Sequence, residues 1–128
     1  MKFLLDTHTF LWYISDDSKL SKTAAELLED TENQPVLSVA SPWEIAIKVS
    51  LGKLEINMSF KDLLKDKVDG LDIELFHMTA EHFDVLAGLP FHHRDPFNRL
   101  ILAQCLSENL PLLSKDSALS NYGLKRLW

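Results

Sequence analysis

Four carboxylates stand at the ends of predicted elements. Asp6 follows an apolar strand over residues 2–5, and Glu44 lies in the first turn of the helix after a second strand. Asp95 begins the most apolar helix, and Asp116 follows a short late strand. Because the carboxyl ends of strands in an open parallel sheet share one edge, where ligands bind, we expect these acids to converge in one cleft.

Crowded carboxylates repel one another and lose hydration, and a divalent cation relieves both costs. Mg²⁺ and Mn²⁺ prefer hard oxygen ligands and keep several waters, which leaves room for a phosphate. Water bound to such an ion is more acidic than bulk water, and a second ion stabilises a leaving oxygen. The acids therefore predict metal-assisted hydrolysis of a phosphodiester.

Each of these acids also has a purely structural interpretation. Asp6 is compatible with an Asx turn, and Asp116 with the first residue of a turn. Glu44 is compatible with a capping box that has Ser41 as the N-cap. Asp95 precedes a proline and is a good helix N-cap. No acid taken alone decides between structure and chemistry.

Short apolar runs alternate with segments of helical period, which predicts an α/β domain around a parallel sheet. The predicted strands are residues 2–5, 35–39, 71–76 and 112–113. Predicted helices open at Ser21, Ser41, Ser59, Thr79 and Asp95. A short amphipathic turn after Asp6 and a turn at residues 121–123 complete the prediction.

The chain has 128 residues, a formal net charge of −6 and a single cysteine, Cys105. This length suits one domain over residues 1–128. A lone cysteine is typical of a reducing compartment, and no apolar run reaches the about 18 residues that a membrane span needs. We therefore expect a cytoplasmic domain with no membrane association. The acidic balance argues against a broad basic face that coats duplex nucleic acid.

Four strings in the chain, taken in order, resemble the PIN-domain family, and most closely the VapC-type toxin ribonucleases of toxin–antitoxin pairs. The strings are Leu4-Leu5-Asp6-Thr7-His8, Ser41-Pro42-Trp43-Glu44-Ile45, His93-Arg94-Asp95-Pro96-Phe97-Asn98-Arg99-Leu100 and Leu113-Ser114-Lys115-Asp116. The second and third are the more specific, and the resemblance extends over the whole chain.

The resemblance implies a three-layer α/β/α sandwich around a central parallel sheet. It implies a Mg²⁺- or Mn²⁺-dependent endonuclease that cuts RNA, forms a homodimer and is held inactive by an antitoxin protein whose tail lies in the groove. Asp6, Glu44 and Asp116 match acidic metal-site positions of the family. Ser114 matches a hydroxyl residue that orients the site.

Asn98 departs from the family pattern. Relatives carry a second Asp at this position of the third string, and that residue aligns with the remaining metal-site acid. Asn keeps a carbonyl oxygen but loses the charge, so divalent metal would bind more weakly. Asp95 lies three residues earlier on the same helix face and is an alternative source of the carboxylate. A catalytically silent PIN domain that binds RNA or antitoxin without cleavage is therefore the competing hypothesis.

RNA phosphate requires positive partners near the acids. Arg94, Arg99 and Lys115 flank the predicted site, and Lys48 lies on the helix of Glu44. The alternative for each is ordinary solvated surface, although this is weaker for Arg99.

Histidine and aromatic side chains do not predict a separate site. The adjacent His92 and His93 lack a partner at zinc-ligand spacing. The side chains of Phe10, Trp12 and Tyr13 are able to stack on bases, but helical spacing is more typical of a core or a dimer interface.

Overall fold

Five parallel strands form one sheet in the computed structural model, which describes residues 1–128. The strands are β1 (Lys2–Leu5), β2 (Gln34–Ser38), β3 (Glu74–Phe76), β4 (Leu112–Leu113) and β5 (Arg126–Leu127). Their spatial order is β3-β2-β1-β4-β5, with every neighbouring pair parallel. The predicted parallel sheet is confirmed, and β5 is an additional edge strand.

Helices connect the strands and cover the sheet. They are α1 (Thr7–Ile14), α2 (Lys22–Glu29), α3 (Ala40–Ser50), α4 (Phe60–Asp62), α5 (Ala80–Ala87) and α6 (Pro96–Glu108). The chain continues from α4 as a π-helix over Leu63–Val68 and a 3-10 turn over Asp69–Leu71, and a second 3-10 turn spans Ser117–Tyr122. The predicted caps of α2, α4, α5 and α6 are confirmed, because each cap side chain accepts a backbone N–H. None of these helices has both the length and the apolarity to cross a bilayer.

Alternation along the strands separates two hydrophobic clusters. Side chains of one parity point to one face of the sheet and the others to the opposite face. Phe3, Leu5, Leu37 and Leu113 pack with Phe10 of α1 and Leu28 of α2. Leu4, Val36 and Leu112 pack with Ile101, Leu102 and Cys105 of α6. The predicted three-layer α/β/α sandwich is therefore confirmed.

The start of α3 differs from the prediction. The helix begins at Ala40, whose N–H donates to the Ser38 hydroxyl at 3.1 Å, so Ser41 is inside the helix rather than its cap. The Ser41 hydroxyl instead lies 2.9 Å from the hydroxyl of Thr7, and both residues are buried. The predicted capping box between Ser41 and Glu44 is therefore wrong. Ser41 instead ties α3 to the first turn of α1, through a contact between residues 34 positions apart in the chain.

Arg99 is a structural residue of the loop before α6. Its side chain donates to the carbonyl oxygens of Pro90 at 2.8 Å, Leu89 at 3.0 Å and His93 at 3.4 Å. The residue is only 7% exposed, and its guanidinium lies 3.9 Å from the ring centroid of Phe91. Both terminal nitrogens of Arg99 bond backbone carbonyls, so its guanidinium holds the loop in place.

Replacing Arg99 by Met is expected to lower the free energy of unfolding by about 3 kcal/mol, because three loop carbonyls, one of them buried, lose a charged hydrogen-bond donor. Urea denaturation followed by circular dichroism measures this change. Arg94→Met is the matched control, since Arg94 is exposed and loses the same charge. Equal destabilisation by the two substitutions would contradict the structural role of Arg99.

Cys105 lies in the core of α6 and is 1% exposed. Burial in apolar surroundings raises the pKa of its thiol, because the thiolate loses hydration. The reactive form of cysteine is the thiolate, so this side chain is a packing residue and not a nucleophile.

Candidate functional site

The pairing of β1 with β4 brings Asp6 beside Ser114. Leu5 and Leu113 are partners in this parallel register, and the Asp6 N–H donates to the Leu113 carbonyl at 3.2 Å. The buried Ser114 hydroxyl makes a short hydrogen bond to Oδ2 of Asp6 and accepts the Asp116 N–H at 3.1 Å. One hydroxyl therefore links the two acids that follow adjacent strands.

The Asp6 carboxylate caps a helix and also lines a cavity. Its Oδ1 accepts the Thr9 N–H at 2.7 Å, which makes Asp6 the N-cap of α1. The residue is 8% exposed, and it shares the lining of a cavity of about 230 Å³ with Asp116. The other lining residues are His8, Trp12 and Lys115. The two carboxylates therefore meet at one small cavity.

Asp116 is held on both of its oxygens. Oδ1 accepts the Ala118 N–H at 3.0 Å and so caps the 3-10 turn that follows β4. Oδ2 lies 3.3 Å from Nε2 of His93. The predicted turn role of Asp116 is confirmed, and it coexists with placement at the cavity.

Glu44 is the most buried of these acids, at 3% exposure. Its Oε2 lies 2.5 Å from Nζ of Lys48, one turn along α3. Its Oε1 is buried and has no hydrogen-bond partner. A carboxylate oxygen without a partner is costly in a protein interior, so this atom has unused capacity to bind a cation.

Asp95 and Asn98 lie in the first turn of α6. Oδ1 of Asp95 accepts the N–H groups of Phe97 at 2.9 Å and Asn98 at 3.1 Å, which confirms the predicted N-cap. Neither side chain lines the cavity between Asp6 and Asp116. The rings of Trp43 and Phe97 are 5.3 Å apart, and they join the first turns of α3 and α6. Glu44 directly follows Trp43 in the sequence, and Asn98 directly follows Phe97.

Of the acids predicted to converge in one cleft, Asp6 and Asp116 line the same cavity. No three side chains among His, Cys, Asp and Glu lie close enough together to hold a metal ion as they stand. The available donors are nevertheless hard oxygens, and the buried, unpartnered Oε1 of Glu44 is an acceptor that a divalent cation would satisfy. The donor chemistry therefore fits Mg²⁺ or Mn²⁺, with movement of the side chains on binding.

The four predicted phosphate contacts have different surroundings. Lys115 is exposed and lines the acidic cavity. Lys48 is paired with Glu44, and it also lines a second cavity. Arg94 is exposed beside a separate depression at Phe91. Arg99 is buried on backbone carbonyls, as described above.

The second cavity has a volume of about 670 Å³ and adjoins the first through His8 and Trp12, which line both. Lys48, Lys53 and Lys67 contribute positive charge to it. Its apolar lining includes Leu11, Ile14, Leu54, Ile56, Met58 and Leu63. This larger groove is amphipathic and runs up to the acids.

Two residues near the acids were not predicted. Arg126 donates to the Ser114 carbonyl at 2.9 Å, and His93 contacts Asp116. The sequence signal for His93 was its place in the third string of the family resemblance. No sequence signal marks Arg126, because β5 is only two residues long.

A model of the PIN domain family matches residues 3–125 of this chain. The chain belongs to the PIN-domain family. The resemblance read from the four strings is thereby confirmed, and the PIN domain spans nearly the whole sequence. A search of curated proteins returns no match.

Solved structures of similar fold cover this PIN domain almost completely. VapBC2 from Rickettsia felis, bound to a DNA fragment from its promoter, has a TM-score of 0.71 at 18% identity over 99% of this chain and 98% of that one. VapBC-1 from nontypeable Haemophilus influenzae has a TM-score of 0.67 at 14% identity, covering 99% and 97% of the two chains. FitAcB from Neisseria gonorrhoeae has a TM-score of 0.64 at 14% identity, covering 100% and 97%.

Proposed function

We propose that this PIN domain is a Mg²⁺- or Mn²⁺-dependent endoribonuclease and the toxin of a toxin–antitoxin pair in the cytoplasm. The observation that carries the proposal is the Ser114 hydroxyl, which donates to the Asp6 carboxylate and accepts the backbone N–H of Asp116 beside one cavity. Both acids follow adjacent parallel strands at their carboxyl ends, the edge of an open sheet where ligands bind, and this position supports a role in ligand binding.

Asp6, Glu44 and Asp116 would hold the ion, with Asn98 or Asp95 as a further oxygen donor. A bound divalent ion supplies charge neutralisation at the phosphate and lowers the pKa of water. Ser114 fixes the orientation of Asp6 by donating to Oδ2, while the Thr9 N–H fixes Oδ1. Fixed ligands lose little orientational freedom when the ion binds.

Replacing Ser114 by Ala is expected to weaken Mn²⁺ binding by about 10- to 100-fold, the usual cost of removing a hydrogen bond to a metal ligand. The buried Asp6 carboxylate then loses the donor to Oδ2 and is held only at Oδ1, by the Thr9 N–H. Isothermal titration with Mn²⁺ measures the change. Ser120→Ala is the control, since Ser120 is exposed. Unchanged affinity in Ser114→Ala would remove Ser114 from the site.

Substrate phosphates would be held by exposed positive groups around the two cavities. Lys115 is at the acidic cavity and Lys48 borders the larger one. Arg94 would extend contact beyond the acids. The net charge of −6 means that RNA is held by these local groups rather than by a broad basic face.

The larger groove is the proposed binding site of an antitoxin segment. Its apolar lining suits hydrophobic side chains. Its three lysines outnumber its two acids, Asp17 and Glu55, so the charged part of the lining favours an acidic segment. A segment there would lie over His8 and Trp12 and block entry to the acids. This arrangement would account for inhibition by a partner protein.

A homodimer is proposed on the exposed face of α3. Trp43, Ile47 and Leu51 follow at intervals of four residues and are 57%, 36% and 62% exposed. Such a stripe on a helix is unusual for a surface that faces only water. Sedimentation equilibrium of the purified chain measures the oligomeric state, and a monomer at all concentrations would contradict the proposal.

The competing function is a silent PIN domain that binds RNA or antitoxin without cleavage. Asn98 is the observation in its favour, because it carries no charge at the position of a family acid. The antitoxin-free protein, incubated with a mixture of structured and single-stranded RNA, tests the choice. Cleavage with Mn²⁺ that stops on addition of EDTA supports the enzyme, whereas binding without cleavage supports the silent domain.

A further inference from the structure

The ion pair on α3 neutralises an acid that is otherwise isolated. Glu44 is almost fully buried, and a buried carboxylate without a counter-charge is strongly unfavourable. Lys48 is the only side chain that hydrogen-bonds to it. The order Glu then Lys at i and i+4 is the favourable one on a helix. Lys48 therefore supplies the positive charge that lies against Glu44 in the interior.

A divalent cation at the same carboxylate would compete with that ammonium. Oε1 of Glu44 has no partner and Oε2 is bound to Lys48, so both oxygens belong to one charge-balanced group. Two further positive charges beside the ammonium would repel it at short range, where screening is weak. Once the cation is bound, Glu44 no longer needs the Lys48 ammonium as its counter-charge.

The Lys48 side chain has space to move into when its ion pair with Glu44 opens. Its side chain is 37% exposed, so release does not require unfolding of the helix. It already lines the groove of about 670 Å³, together with Lys53 and Lys67. That groove adjoins the acidic cavity, where a phosphodiester would have to approach.

We propose that Lys48 holds the place of the metal at Glu44 and that a divalent cation displaces its ammonium into the groove, where it contacts substrate phosphate. The inference rests on the proposed metal site. Release of Lys48 would make substrate binding depend on prior metal binding. An ion-free domain would hold RNA more weakly than a loaded one.

Lysine footprinting on the wild-type chain tests the release directly. The protein is treated with an acetylating reagent with and without Mn²⁺, and the modification rate of each lysine is read by mass spectrometry. Lys48 is expected to react several-fold faster with saturating Mn²⁺, because a paired ammonium is protected. Lys53 is an exposed lysine that lines the same groove, and its rate should not change. An unchanged Lys48 rate in protein that binds Mn²⁺ overturns the inference.

The substitution Lys48→Met tests the competition. Mn²⁺ affinity is expected to rise about tenfold, because the ion no longer has to displace a cation. Lys53→Met makes the same change in net charge and should leave the affinity within about twofold. An equal rise in both variants, or weaker binding in Lys48→Met, overturns the inference.

Failure of the underlying metal site has a different signature. If titration detects no Mn²⁺ binding to the wild-type chain or to either variant, the proposed metal-dependent function fails and the inference fails with it. If the wild-type chain binds Mn²⁺ and Asp6→Asn does not, the site stands and only the role of Lys48 is in question. The footprint on the wild-type chain still decides that role if Lys48→Met does not fold.

Discussion

Asp6→Asn is expected to lower Mn²⁺-dependent RNA cleavage by at least about 100-fold, because loss of a ligand should cost more than loss of a residue that only orients one. The substitution removes one negative charge at the cavity that Asp6 shares with Asp116. It also replaces the oxygen that accepts from Ser114 by either an amide nitrogen or a weaker acceptor.

The same substitution should leave the fold in place. Asn is as good an N-cap as Asp, so its side-chain oxygen can still accept the Thr9 N–H at the start of α1. The thermal midpoint and the circular dichroism spectrum should therefore remain close to those of the wild-type chain. This separates a chemical defect from a folding defect.

Initial rates on a labelled RNA, with Mn²⁺ varied at each protein concentration, measure the effect. Asp30→Asn is the matched control, since Asp30 is an exposed Asp whose side chain also accepts a backbone N–H, from Glu32. Full activity in Asp6→Asn would reject the assignment of Asp6 to the metal site. Equal loss in the control would point to a non-specific effect of charge.

Asn98→Asp is expected to raise cleavage at limiting Mn²⁺ by at least about tenfold, which corresponds to about 1.4 kcal/mol of added binding free energy. The change restores a charged oxygen donor in the first turn of α6. Divalent cations gain affinity with the number of charged ligands in the site.

Stability should change little in this variant. An acid in the first turn of a helix interacts favourably with the helix dipole, by about 0.3–1 kcal/mol. The like charge of Asp95, three residues earlier and itself the N-cap, opposes that gain. Asn121→Asp, at an exposed position in the last 3-10 turn, is the control for net charge.

The outcomes of Asn98→Asp separate the two functions. An inert parent with an active variant supports the silent PIN domain and identifies Asn98 as the cause. If the wild-type chain cleaves RNA and Asn98→Asp cleaves it no faster, the placement of residue 98 in the metal site is contradicted. If neither protein cuts any RNA with Mn²⁺ or Mg²⁺, the nuclease proposal is rejected.

Local signals in the sequence were enough for most elements. Ser21, Ser59, Thr79 and Asp95 cap their helices as predicted, because a cap depends on backbone groups only two or three residues away. The strands β1, β2 and β4 coincide with apolar runs, which must be buried on both faces in a parallel sheet. The α/β alternation follows from these local choices.

Long-range contacts explain the departures. Ser41 has the sequence context of a helix cap, yet its hydroxyl bonds Thr7, 34 positions away. The strand β5 has two residues and exists because it pairs with β4. Arg99 resembles a phosphate contact in the sequence, but the loop before α6 wraps its guanidinium in three carbonyls.

The sequence by itself determined the family, the layered α/β architecture and the positions of the acids, since strings of neighbouring residues carry that information. Only the tertiary structure decided which acids meet. The register of β1 and β4 joins Asp6 to Asp116 through Ser114, whereas Glu44 is buried against Lys48. Two side chains pair in the interior when the elements that carry them pack together and exclude water. The residue pattern within a single strand or helix does not specify which other element it packs against.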